Sequence, residues 1–389
     1  MSLLTAQDWS FPVPIRYGPN RIREIAEICH QQGISSPLIV TDQGSANLPF
    51  VAAMQNDLTG AGMSPGLFAG ISPNPRDKDI IRGREVFRNG GHDGVIALGG
   101  GSGMDGGKAI SLLAHNAVDI WAFEYEKPPI EQKDYVAFPP LICVPTTAGT
   151  GAETESTAMV TDTEKMMKWC IWHPHQKPAS VILDPVLTVG LPRHLTAWTG
   201  VDALVHAIEA YVVESFHPLC DGAALEALRL IYRHLPVVVD QPDDLEARGA
   251  LLVGSCLAGV SFIKGLGLVH AISHMVGAEN DTHHGLTNAV LLPSVMRFNA
   301  SAIGKKIPAM AQACGLDDHS FDGFYQAVCR LLDQLDIPRD LKELKVPDSG
   351  FDRLAQKAVQ DSGASTNPRS ASADEIETII REAFDHGRR

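Results

Sequence analysis

Cationic charge is scarce in this 389-residue chain: 32 Lys and Arg stand against 46 Asp and Glu, a formal net charge of −14. A surface of that sign repels phosphate backbones and anionic lipid, so neither nucleic acid nor a membrane surface is an expected partner. Cysteine is sparse as well. The seven residues, Cys29, Cys143, Cys170, Cys220, Cys256, Cys314 and Cys329, are odd in number, scattered, and form no C-x-x-C pair. They read as reduced thiols of a cytoplasmic protein. Residues 1–17 lack the basic and apolar regions of a secretory signal. The uncharged, strongly apolar run 249–263 is 15 residues long and ends at Lys264, short of the roughly 20 residues that span a bilayer. Two catalytic signatures are missing too. H-E-x-x-H does not occur, which argues against a zinc protease, and a Walker A loop fails at Ser102 and Ala109.

What is present is an ordinary globular composition, 44% hydrophobic and 20% charged, with 35 Gly and 25 Pro spread along the chain. The length exceeds what one core usually holds, so two domains are expected. Up to residue 184, short apolar runs at 36–42, 94–98, 141–145 and 180–184 end in polar or glycine turns, as buried parallel strands do. Helical stretches at 22–32 and 105–114 lie between them, which predicts an α/β domain over 1–187. Beyond Pro185 the pattern becomes long and Ala/Leu-rich, at 196–213, 219–235, 245–262 and 268–276, which predicts an all-helical domain over 188–389. A last helix is marked by Ser372 and Glu375 as a capping box, with Ile376, Ile379, Ile380 and Phe384 on one face.

The run Gly99-Gly100-Gly101-Ser102-Gly103-Met104-Asp105-Gly106-Gly107-Lys108 follows the strand at 94–98 and opens a helix. Glycines let the backbone approach a pyrophosphate, and a helix N-terminus offers N–H groups and partial positive charge. Gly101-x-Gly103-x-x-Gly106 satisfies the dinucleotide string, although no acid follows at the customary place. Asp42 precedes the loop instead, at the end of an earlier strand. It reads either as an acceptor for ribose hydroxyls, which would repel a 2′-phosphate, or as a strand-end aspartate. A second small-residue loop, Pro145 through Glu153, carries Thr146, Thr147 and Thr150, suited to a phosphate or ribose or to a simple hydroxyl-stabilised turn.

Histidines supply the other cluster. His270 and His274 are four apart on one helix, His283 and His284 follow a turn, and Asp202 and His206 form another pair four apart upstream. Two helices crossing at these faces would close a cage of one carboxylate and three imidazoles. That donor set suits Fe(II), Zn or Ni and disfavours Ca or Mg. Any one of these histidines taken alone reads more simply as a hydrogen-bonded core residue.

Taken together, Gly-Gly-Gly-Ser-x-x-Asp-x-x-Lys at 99–108, Pro-Thr-Thr-Ala-Gly-Thr-Gly at 145–151, Thr-Gly-Val-Asp-Ala-Leu-x-His at 199–206 and Gly-Leu-Val-His-x-x-x-His at 267–274 with His284 resemble the iron-containing (group III) alcohol dehydrogenase family. The resemblance runs from Pro14 to Arg369. It implies an N-terminal dinucleotide-binding α/β domain and a C-terminal all-α metal-binding domain, the dehydroquinate-synthase-like architecture. By motif position it implies Asp202, His206, His270 and His284 as metal ligands and His274 as a further active-site histidine. It also implies cofactor contacts at Asp42, Asn74, Gly100, Gly101, Ser102, Asp105, Thr146, Thr147, Thr150 and Lys168. One departure is visible: the stretch Ser261-Phe262-Ile263-Lys264-Gly265 before Gly267 is one residue shorter than the family's Phe-Ser-Asn-like segment.

The implied activity is NAD(H)-linked alcohol oxidation or aldehyde reduction, with Fe(II), or Zn(II) as the alternative ion, polarising the carbonyl oxygen of a small substrate in a homodimer. His274 would relay a proton or orient a ligand. Lys264 reads either as a salt-bridged lysine or as an anchor for an anionic aldehyde such as a semialdehyde. The competing readings are a zinc polyol dehydrogenase or dehydroquinate-synthase-like lyase, and a non-catalytic metal or nucleotide sensor.

Overall fold

A computed structural model describes residues 13–131 and 134–388, so most of the N-terminal stretch read above for a signal lies outside the described residues. The strands are β1 (Ile15–Tyr17), β2 (Pro37–Asp42), β3 (Gly66–Ile71), β4 (Gly94–Gly99), β5 (Leu141–Pro145), β6 (Thr157–Asp162), β7 (Met167–Trp172) and β8 (Ser180–Leu183). Six of them form a parallel sheet in the order β1-β8-β5-β4-β2-β3, and β6 and β7 pair as an antiparallel hairpin. The four expected strands are β2, β4, β5 and β8, buried over nearly their whole length, which is why they read as unbroken apolar runs. The sequence reading missed β1 and β3, the two edges, and the hairpin, whose turn passes through Met166 at φ 51°. Edge strands are partly exposed and lose the continuous apolar signal.

Helices α1 (Ile25–Gln31), α2 (Pro49–Gly60), α3 (Asp77–Asn89) and α4 (Gly101–Leu113) cover the parallel sheet. Ile25, Ile28 and Cys29 of α1 and Val51, Met54 and Leu58 of α2 join Ile39, Ile96, Ile142 and Ile182 in one core. α4, with α3 beside it, packs on β4, β2 and β5. The helix begins four residues before the expected position because Gly100 is its N-cap and the glycine run is its first turn. Gly99 sits at φ 134°, a conformation L side chains avoid, and turns the chain from strand to helix. A Cβ on Gly103 would lie 2.3 Å from the Leu98 carbonyl oxygen, so this glycine serves close helix–strand packing. After β2 the chain moves to β3, on one side; after β4 it moves to β5, on the other. The carboxyl ends of β2 and β4 therefore flank a topological switch point, where open α/β sheets bind ligands.

The second unit is helical: α5 (Arg193–Val212), α6 (Pro218–Asp240), α7 (Leu245–Ser261), α8 (Leu268–Asn280), α9 (His284–Ile303), α10 (Ile307–Ala313), α11 (Phe321–Gln334), α12 (Phe351–Ala358), α13 (Ser362–Thr366) and α14 (Ala373–Asp385). By length and composition alone the segment Leu245–Lys264 could cross a membrane, but α7 lies buried along α5 and α6. An all-round apolar helix in that setting is a core helix. At α14 the Ser372–Glu375 capping box forms as read, and Ile376, Ile379, Ile380 and Phe384 are buried.

The two compact units comprise 13–147 with 152–190, and 148–151 with 191–388. The chain thus leaves the sheet unit at 190, three residues beyond the expected boundary at 187, and lends four residues of the threonine loop to the helical unit. There a Cβ on Gly151 would lie 2.7 Å from the Gly259 Cα, and one on Gly149 would lie 2.7 Å from the Thr199 Cβ. The small residues of this loop are explained by that packing.

Candidate metal centre and cofactor loop

In the sheet unit, the first turn of α4 has no side-chain cap, which leaves the N–H groups of Gly101, Ser102 and Gly103 without the usual capping acceptor. Asp42 reaches the same place from β2. Its carboxylate accepts hydrogen bonds from the Ser45 N–H at 2.9 Å and the Ser45 hydroxyl at 2.8 Å, and a Cβ on Gly99 would lie 3.2 Å from Oδ2. The Thr146 N–H donates to the Gly99 carbonyl at 2.9 Å, and Thr147 lies against Gly100. On the far side the Ser102 hydroxyl donates to the Pro73 carbonyl, and the Lys168 ammonium donates to Asn74 Oδ1 at 3.5 Å. Burial pushes the Asp105 carboxyl up to about 6, against the opposing charges of Lys108 and Lys168. Nine of the ten expected cofactor residues thus lie in the sheet unit; Thr150 belongs to the helical unit.

In the helical unit, Asp202 and His206 project from α5, His270 from α8 and His284 from the start of α9. One ligand atom from each lies within 4.8 Å of the others. Asp202 Oδ1 is 3.8 Å from His270 Nε2 and 3.7 Å from His284 Nε2. Donors at about 2.1 Å from a shared tetrahedral ion stand about 3.4 Å apart, so the set fits one ion with small adjustments. Burial holds the His206 pKa down to about 3, against the Asp202 charge and a backbone hydrogen bond to Gly149. A buried neutral imidazole of that kind is suited to ligation. Asn288 Nδ2 points at the same spot, 2.7 Å from Asp202 Oδ1 and 3.1 Å from Nε2 of both His270 and His284.

Three residues that the sequence reading missed surround this set. Glu209 Oε2 accepts from His270 Nδ1 at 2.6 Å, Asp361 Oδ2 accepts from His274 Nδ1 at 2.8 Å, and Asn288 holds Asp202. Burial opposes charge on His270, but the Glu209 hydrogen bond and the nearby carboxylates outweigh it and raise its pKa. Two of the three carried a local signal, since Glu209 follows His206 by three residues and Asn288 follows His284 by four, helix-face spacings in each case. Asp361 carried none, being 87 residues from His274.

His274 stacks on His284 with ring centroids 5.3 Å apart. His283 stays outside the set: it is the N-cap of α9, and its ring lies 5.0 Å from Trp198. Phe262 packs 5.0 Å from the His206 ring. Lys264, two residues on, requires a correction. Its side chain is fully buried and its ammonium is held by Asp221 and by the Tyr211 carbonyl at 3.5 Å. An ammonium neutralised in this way does not serve as an anchor for a substrate anion, and the salt-bridged reading stands.

Family comparison agrees in both halves of the chain. Iron-containing alcohol dehydrogenase matches residues 12–185, and the C-terminal region of the Fe-containing alcohol dehydrogenase family matches residues 196–384. A 1,3-propanediol dehydrogenase of Klebsiella pneumoniae is 37% identical over 388 residues, covering 97% of this chain and 98% of its own. An NAD-dependent methanol dehydrogenase of Bacillus methanolicus is 34% identical, covering 94% of this chain and 97% of its own. The crystal structure of a 1,3-propanediol oxidoreductase superposes with a TM-score of 0.90 at 36% identity, over 97% of this chain and 100% of that one. Matched along nearly its full length, the chain belongs to the iron-containing alcohol dehydrogenase family and is an oxidoreductase acting on alcohols.

Proposed function

We propose that this enzyme interconverts a small alcohol and its aldehyde with NAD(H), using Fe(II) held by Asp202, His206, His270 and His284. The observation that carries the reading is the convergence of one carboxylate and three imidazoles within 4.8 Å in a buried site. Imidazole and carboxylate donors favour Fe(II) or Zn(II) over Ca or Mg. When bound, such an ion supplies Lewis-acid polarisation of the substrate oxygen, and the dinucleotide supplies or takes the hydride.

The chain's own residues do the rest. The uncapped first turn of α4 and the glycines before it suit a pyrophosphate, and Asp42 at the switch point suits the ribose hydroxyls and disfavours NADP(H). His274, oriented through Nδ1 by Asp361, exchanges the hydroxyl proton at its other ring nitrogen. With its charge spent on Asp221, Lys264 gives no preference for an anionic aldehyde. Family membership sets aside the lyase and sensor readings. An odd number of scattered cysteines with no C-x-x-C pair supports a reducing, cytoplasmic setting, and a homodimer is the proposed assembly.

The test is NADH oxidation across a panel of small aldehydes with protein loaded with Fe(II), loaded with Zn(II), or stripped by chelator. Turnover that needs the ion and is fastest with Fe(II) supports the reading. Equal rates after complete ion removal would refute the metal role.

A further inference from the structure

Helix α8 begins without a cap of its own. Gly267 is its N-cap and no local side chain bonds to its first turn. The turn is instead closed from elsewhere: Glu209 Oε2 accepts from the Gly267 N–H at 3.1 Å, Asn367 Oδ1 from the Leu268 N–H at 3.2 Å, and Glu209 Oε1 from the Val269 N–H at 2.7 Å. Glu209 Oε2 also accepts from His270 Nδ1 at 2.6 Å. One buried carboxylate therefore grips both the backbone that starts α8 and the side chain of the first histidine on it. A Cβ on Gly267 would lie 2.7 Å from Glu209 Oε1, so the approach requires glycine there.

A carboxylate bonded to one ring nitrogen places the proton on that nitrogen and presents the other as a lone-pair donor, while stopping ring rotation. Since Glu209 is on α5, one turn beyond His206 and two beyond Asp202, the helix that supplies two donors also aims the third. We propose that Glu209 is a positioning residue for the metal centre, holding His270 Nε2 toward Asp202 and His284 and registering α8 against α5. The proposal rests on the metal reading of the same site.

The test is Co(II) binding to the full chain by chelator competition, with the visible spectrum of the bound Co(II) as a second readout. Glu209→Gln keeps an oxygen for one of the two helix N–H groups and removes the charge beside His270. Its Co(II) affinity is expected to fall about 10- to 100-fold, with a changed spectrum. Asn367→Ala, which removes a cap from the same turn without touching His270, is expected to lower Tm and keep near-wild-type affinity and spectrum. Wild-type affinity and spectrum in Glu209→Gln would overturn the proposal, and so would an equal loss in Asn367→Ala, which would reduce the effect to the helix cap. Should Glu209→Gln not fold, Glu209→Asp keeps the charge but shortens the reach to His270, and wild-type affinity there overturns the proposal equally. Failure of the wild-type chain to take up Co(II) would instead strike the metal reading itself, independently of any turnover.

Discussion

Replacing Lys264 by Met separates a role in the fold from a role in substrate choice. Breaking a buried ion pair by removing one partner costs about 3–5 kcal/mol, because the remaining charge is stranded. Here the side chain of Lys264 has no exposed surface, but that of Asp221 is 31% exposed, so water reaches the stranded carboxylate. Lys306 reduces the cost again. It donates to the Tyr211 and Val213 carbonyls at 2.5 and 3.1 Å, and burial together with the Lys264 charge lowers its pKa to about 8. Without Lys264 that repulsion disappears, and the Asp221 charge already favours the charged form of Lys306. The expected loss is therefore about 1–3 kcal/mol, a Tm decrease of roughly 3–10 °C for a unit of this size. Calorimetry gives the first number, and kcat/KM for an ω-carboxy aldehyde and its neutral isostere gives the second. The ratio of the two kcat/KM values is expected to be the same in both proteins. An unchanged Tm with a tenfold or larger change in that ratio would refute the argument and return Lys264 to the substrate.

Asp202→Ala and His270→Ala are expected to lose bound metal and turnover while retaining NADH binding, because the cofactor loop belongs to the other unit; metal analysis and NADH fluorescence check this. His284→Ala should lose the ion and His283→Ala should keep it, since His283 caps α9 and lies against Trp198; the opposite result would move the ligand to His283. Asp42→Gly should narrow a preference for NADH over NADPH, and faster wild-type turnover with NADPH would remove Asp42 from the ribose. Burial lifts the Glu155 carboxyl to about 8 from 4.5. Between those values the folded chain keeps a proton that the unfolded chain has released, so this group costs stability as pH rises through the window. Glu155→Gln should gain stability relative to wild type on going from about pH 5 to about pH 8.5 in urea melts. Parallel pH profiles for the two proteins would contradict it.

The repeating features of this protein were legible in its sequence because their signals are local. Buried strands such as β4 and β5 are unbroken apolar runs, helices such as α5 and α14 repeat every three to four residues, and caps such as Ser372 act on a backbone three residues away. Asp202 and His206 were legible for the same reason, since their spacing marks a helix face, whereas His270 and His284, on separate helices, were assigned as donors through the family resemblance. What surrounds them was not. Glu209 on His270, Asp361 on His274 and Asn288 on Asp202 are separated by 61, 87 and 86 residues, and no spacing rule links positions so far apart. The glycines of 99–107 show the same division: their turn was readable, but only the packed helix reveals that Gly103 is required by the Leu98 carbonyl. Lys264 shows it most plainly. Its cost in an apolar stretch follows from composition, whereas its partner, Asp221, lies 43 residues away and is supplied by helix packing alone. Residue type and spacing determine which groups need a partner, and the tertiary fold decides which partner each one meets and how much water is left around it.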